Sequence, residues 1–161
     1  MDNTLTFINN TIYQRCDLNL TDYKLEAEGH DYEAFRFKLN NLLIIGRTAK
    51  ITPKKIGQFV TCWKRNDQGI TEPFSESDEI DFYSITVKKD NRMGQFVIPK
   101  SALIQHKIIS TKRTDGKRGF RVYPKWDHPT SNQAIKTQAW QLKYFYEIDD
   151  SMDLQKVSNL F

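Results

Sequence analysis

Apolar residues follow two different rhythms along this chain. Residues 4–15 place Leu5, Ile8 and Ile12 three and four positions apart, the spacing of one helical face. Polar residues then dominate to about Gly29. From Glu33 the period drops to two. Phe35, Phe37 and Leu39 alternate with Arg36, Lys38 and Asn40, which predicts a half-buried strand. Asn40-Asn41 tolerates positive φ and predicts a hairpin whose return strand runs from Leu42 to Ile51. Thr52-Pro53 breaks that strand, because proline brings no N–H to a ladder. GQFVTCWKR at 57–65 is rich in β-formers and predicts a further strand.

The second half alternates loops and short elements. Residues 66–79 predict a loop, 81–88 a strand, Asp90-Asn91 a turn and 94–98 the next strand. A helix over 100–108 would turn Leu103 and Ile104 inward, and STKRTDGK at 110–117 predicts a polar loop. Phe120 to Tyr123 is a short strand ended by Pro124. Thr130 or Ser131 can cap a helix to about Tyr146, with Ile135, Ala139, Leu142 and Tyr146 as its apolar stripe. From Asp149 the pattern weakens, so 148–161 is expected to be a weakly structured tail. Strands and helices in this order predict one α+β domain over 1–161. It should have a twisted, mostly antiparallel sheet and flanking helices. Gly-Gln-Phe-Val occurs at both 57–60 and 94–97. Two short copies are two similar strand starts, or sites where glycine admits a close approach and the glutamine amide meets a ligand.

With 161 residues and 39% hydrophobic content, the chain can bury a real core. No run approaches the ~20 apolar residues of a membrane helix, and MDNTLTFINN lacks the basic start and apolar stretch of a signal peptide. The expectation is therefore a cytoplasmic protein with no membrane partner, in which Cys16 and Cys62 are free thiols. The net charge of +4 hides an uneven distribution. Residues 1–46 carry −3, residues 47–136 carry +9 and residues 137–161 carry −2. A basic middle is suited to a polyanion.

Two basic clusters lie in that middle. The first is Arg47, Lys50, Lys54, Lys55, Lys64 and Arg65, and the second is Lys112, Arg113, Lys117, Arg118, Arg121 and Lys125, beside Tyr123 and Trp126. Cations on turns reach phosphates, and aromatics interleaved with cations have the composition of unstacked-base recognition. Gln133, Lys136, Thr137 and Trp140 fall at helical spacing, with Gln141 nearby, and suit a groove surface. The same residues are also compatible with solvated loops and core aromatics. The acidic stretch Glu76 to Glu79 and Asp81 precede Lys100, as a Mg²⁺-dependent nuclease would require. A nuclease of the restriction type places an acid two residues before that lysine, and Ile98 stands there instead. Asp81, Lys100 and a distant carboxylate such as Glu33 are thus weak catalytic candidates. Mg²⁺ would be needed only under this alternative. His30, His106 and His128 are scattered, with no metal spacing.

The segments RTAKITPKKIGQFVTCWKR (47–65), SDEIDFYSITV (77–87), GQFVIPKSAL (94–103), GKRGFRVYPKWD (116–127) and QAIKTQAWQLKYF (133–145), taken in order, closely resemble the MepB family. Members are small bacterial cytosolic proteins, often encoded beside a multidrug efflux pump and its repressor. The resemblance covers about 30–147. It implies a restriction-endonuclease-like fold and a role in binding nucleic acid, DNA or RNA, with no established catalysis. It carries over the basic and amide positions Lys50, Lys54, Lys55, Gln58, Lys64, Arg65, Lys100, Arg118, Arg121, Lys125, Lys136 and Gln138. An interaction module for an acidic protein partner is the remaining alternative.

Overall fold

The computed structural model describes residues 1–161. Helix α1 (Asn3–Ile8) opens the chain with Asp2 as its cap and continues through a π turn (Asn9–Tyr13) and a 3₁₀ turn (Gln14–Cys16). Strands β1 (Leu20–Leu25), β2 (Phe35–Leu39), β3 (Leu42–Thr48), β4 (Lys50–Ile51), β5 (Gln58–Thr61), β6 (Trp63–Arg65) and β7 (Thr71–Pro73) follow. Then come β8 (Phe82–Lys89), β9 (Arg92–Pro99), α2 (Lys100–Gln105), β10 (Gly119–Val122), α3 (Asn132–Gln141), β11 (Phe145–Glu147) and α4 (Leu154–Ser158). The central sheet has the order β1-β2-β3-β8-β9-β11 and is antiparallel except between β3 and β8. A three-stranded sheet β10-β5-β4 and the hairpin β6-β7 complete the strands.

The period-two pattern folds the central sheet as expected, and both of its faces are buried. Asn40 and Asn41 adopt φ of 46° and 70° and close the β2–β3 hairpin. Phe35, Phe37 and Leu39 then share one face with Ile44, Val97 and Tyr146. α1, its continuation and α4 cover that face with Leu5, Ile8, Ile12, Tyr13 and Val157. The opposite face, with Ile45, Tyr83, Ile85, Val87, Phe96 and Ile98, receives the small sheet, α2 and Trp126. Alternate residues of one strand therefore enter two separate cores.

Several expectations need correction. The return strand and the 57–65 strand each divide, at Ala49 and at Cys62, so that the second part can join a different sheet. β1 lies in the segment expected to be polar coil. It is an edge strand whose register shifts at Asp22, with neither face fully buried, so it carries no alternation. The loop 66–79 contains β7. The tail docks: Asp153 caps α4, Val157 is buried, and the Phe161 ring lies 5.5 Å from Phe82 and 6.0 Å from Tyr13. The expected helix to Tyr146 stops at Gln141. Beyond a 3₁₀ turn the aromatic run becomes β11, paired with β9.

The two Gly-Gln-Phe-Val copies have one structural explanation. A Cβ on Gly57 would lie 2.7 Å from the Tyr123 ring, and one on Gly94 would lie 2.6 Å from the Phe145 ring. Both glycines admit an aromatic of the protein itself. Both glutamines are buried, Gln58 donating to the Lys88 carbonyl at 3.1 Å. Gln95 donates to Ser84 and Thr86 and accepts from the hydroxyls of Tyr13 and Tyr146.

Phe37 is buried against Tyr13 and Phe35, with ring centroids 6.1 and 5.7 Å away. Phe37→Ala should destabilise the fold by about 3–5 kcal/mol. Urea unfolding followed by circular dichroism checks this, and a loss below about 1 kcal/mol would show that the packing is not as described.

Candidate nucleic-acid interface

A groove runs between the turn 52–56, strand β10 and helix α3. Proline at 53 ends β4, and Lys54 takes a φ of 65°, which turns the chain back toward β5. β10 is an edge strand of the small sheet, so its outward N–H and C=O groups need partners. Gln141, 0% exposed, supplies them with its side chain. Its Oε1 accepts from the Tyr123 N–H at 2.9 Å and its Nε2 donates to the Arg121 carbonyl at 2.8 Å. One turn earlier on α3, Gln138 donates to the carbonyls of Tyr123, Pro124 and Asp127, the last at 2.8 Å. Ser131 caps α3 by accepting from the Ala134 N–H.

These amides fix α3 beside β10 and leave two adjacent pockets of about 370 and 290 Å³. They share Arg121, Tyr123, Ser131 and Ala134. The smaller one adds Lys54 and Lys55, and the larger one adds Lys117, Gln133, Thr137, Trp140 and His106. No aspartate or glutamate lines either pocket. Arg121 is held in place by the Gly57 carbonyl at 3.3 Å, the Ile56 carbonyl and the Thr52 hydroxyl, all uncharged partners. His106 stacks face to face on Trp140, with centroids 3.8 Å apart and planes 6° from parallel. Burial, and then the Lys143 charge, hold its pKa below the ordinary histidine value.

Some of the other cations of the basic middle are paired with acids. Lys64 pairs with Asp78 at 2.6 Å and Glu72 at 3.5 Å, and Arg65 pairs with Glu28. Arg47, only 3% exposed, pairs with Glu26, which also takes Arg36. Arg118 donates to the Thr71 carbonyl in a separate pocket that includes Glu72 and Asp115. Lys50 sits over the Tyr32 ring at 4.9 Å. Lys125 and Lys136 are exposed but line neither pocket of the groove. Gln58 and Gln138 are corrections to the expected surface. The first is 1% exposed, and both amides are occupied by backbone carbonyls.

The weak catalytic candidates separate in the same way. The Lys100 N–H donates to the Asp81 carbonyl at 3.0 Å, so the two residues are neighbours. Their side chains nevertheless serve the fold. The Asp81 carboxylate accepts from the Leu43 N–H at 2.8 Å, and the Lys100 ammonium donates to the Asp78 carbonyl at 2.7 Å. Glu33 accepts from the Thr48 hydroxyl. No three His, Cys, Asp or Glu side chains gather as a metal site.

Residues 26–147, which include every residue that lines the groove, match the sequence model of the MepB-like family. The chain belongs to that family. A solved structure titled "Crystal Structure of MepB" is similar to it with a TM-score of 0.81 and 32% identity, over 94% of this chain and all of that one. No curated protein matches. Within this MepB-like fold, sequence reasoning missed His106, because a partner 34 positions away gives no local signal. It also missed the small residues Ser131 and Ala134, which leave the room.

Gln141→Leu should cost up to about 2–6 kcal/mol, since the part-buried Tyr123 N–H and Arg121 C=O each lose a partner worth about 1–3 kcal/mol. Denaturant midpoints for this variant check the amide's role. A second expectation concerns pH. His106 has a folded-state pKa below its ordinary 6.5, so between the two values the folded chain binds fewer protons than the unfolded one. Its contribution to stability is full above pH 6.5 and is lost as pH falls through that window. Urea midpoints from pH 8 to pH 5 should show a decline that is shallower in His106→Gln.

Proposed function

We propose that the groove binds nucleic acid through its phosphate backbone, with low sequence selectivity. One observation carries this reading: Lys54, Lys55, Lys117 and Arg121 line two adjacent pockets with no carboxylate among their lining residues. Arg47, Lys64 and Arg65, outside the groove, are by contrast paired with acids. Unanswered cations along a groove suit a linear polyanion, and arginine and lysine at fixed positions suit phosphate oxygens. The N-terminus of α3 points its positive end to the same place, with Ser131 and Ala134 lining both pockets. No zinc module or helix pair presents a reading head to base edges, in keeping with weak selectivity.

A restriction-endonuclease-like architecture is part of the same proposal. Asp81 at the start of β8 and Lys100 after β9 adjoin, as that fold would require. The chemistry does not follow, because Ile98 is buried where a second acid belongs and the Asp81 carboxylate is spent on Leu43. Binding without Mg²⁺-assisted cleavage is the reading these side chains support. A cytoplasmic setting fits the two free thiols and the lack of any helix long and apolar enough to cross a membrane.

Binding through four cations should release counterions. The logarithm of affinity should fall with the logarithm of salt, with a slope of about −0.7 to −0.9 for each phosphate engaged. Replacing Lys54 and Lys55 together by glutamine should reduce the slope by about one to two and weaken all sequences alike. Polarisation of labelled 20-mers over a salt series measures both effects. Well-folded protein that binds no oligonucleotide at low salt would end this proposal and favour an acidic protein partner.

A further inference from the structure

The larger pocket of the groove differs from the smaller one in kind. Lys54 and Lys55 give the smaller pocket a plain cationic rim. The larger is walled by the stacked rings of His106 and Trp140, by Tyr123 and by Phe120 and Ile108. Gln133, Thr137 and Ser131 add an amide and two hydroxyls. Its volume of about 370 Å³ falls within the range of small-molecule sites, roughly 300–1,000 Å³.

We infer that this pocket receives one unstacked nucleobase, so that the partner of the groove is single-stranded nucleic acid. The inference rests on the nucleic-acid reading above and deepens it. Phosphates have no use for an aromatic wall, whereas every base has a π-face to lay against one. A duplex keeps those faces inside its own stack, and only an unpaired strand offers them without the cost of unpairing. The pocket also provides groups for a base edge. The Gln141 amide is consumed by β10, but the Gln133 amide, on the exposed side of α3, makes no hydrogen bond within the protein. The Thr137 hydroxyl donates to the Gln133 carbonyl at 2.9 Å and keeps lone pairs free to accept. The wall is rigid before any ligand arrives. Trp140 is held on one face by His106 and edge-on by Tyr144 at 6.4 Å. The lowered pKa of His106 keeps that ring neutral near neutral pH. Because Arg121 and Tyr123 belong to both pockets, a strand whose phosphates meet Lys54, Lys55 and Arg121 passes its next base to the Trp140 end.

The test compares three labelled 20-mers of equal sequence by polarisation with the full chain: a single strand, its duplex, and a strand carrying consecutive abasic sites. The abasic strand keeps its phosphates and loses its bases. The intact single strand should bind about 5- to 150-fold tighter than the abasic one, the range for stacking one base on an aromatic, and also tighter than the duplex. Thr137→Phe fills the larger pocket, which Lys54 and Lys55 do not line, and should erase that advantage while the protein still binds the abasic strand in a salt-dependent way. Gln133→Ala, at an exposed position, should reduce the advantage in part and guards against a folding defect in the first variant. Equal affinity for all three probes, falling with salt, would overturn the base pocket and leave phosphate binding standing. Tighter binding of the duplex would do the same, and so would a folded Thr137→Phe protein that behaves as the parent. No binding of any probe at low salt would remove both proposals together.

Discussion

The groove exists because an edge strand has to be paired. β10 ends the small sheet, and its outer N–H and C=O groups would otherwise face a poorly solvated crevice. A further β-strand would satisfy them and fill the space. The chain uses the primary amide of Gln141 instead, which has the donor and acceptor of one peptide group. A helix fastened by one amide stands farther from the strand than another strand would, and the difference is the groove. Gln138 extends the same device to the carbonyls of the turn after β10. The floor of the groove is thus set by hydrogen bonds whose loss leaves buried groups bare.

The placement of charge follows a similar division. Arg47 is buried, where an unpaired guanidinium would be costly, and Glu26 pairs with it and with the half-exposed Arg36. Lys64 and Arg65 have their own acids on β7, the following loop and the segment after β1. These ion pairs tie the small hairpin to the rest of the protein. Sequence alone could not separate them from Lys54 and Lys55, because all stand in one basic stretch. Their acids come from residues 26, 28, 72 and 78, brought in only by folding.

What the sequence made legible was whatever depends on neighbours along the chain. The alternation at 35–39, the asparagine turn, the hairpin at Asp90 and the Ser131 cap are local and fold as read. The apolar stripe of α3 failed for a physical reason. Ile135 is 47% exposed and Ala139 is exposed as well, while the face of Ala134, Gln138 and Gln141 docks. Periodicity counts apolar residues, and this helix is held by amides. The polar face singled out on α3 did contain the groove wall, since Gln133, Thr137, Trp140 and Gln141 all line it. Its partner ring, His106, and the buried state of Gln58 depend on contacts that no spacing announces.

An uncompensated cationic groove is not something the fold requires. Four like charges along one crevice repel each other, and the chain has acids enough elsewhere to have answered them. Arg121 shows how the charge is retained: three uncharged oxygen partners hold the guanidinium in place without cancelling it. Orientation without neutralisation leaves the full charge available to whatever enters, and the entropy of ordering that side chain has been met in folding. The same holds for the stacked rings of His106 and Trp140, fixed as a wall by their contact with each other and with Tyr144. A groove arranged in this way gains most from a partner that brings negative charge at regular intervals and a flat ring between them.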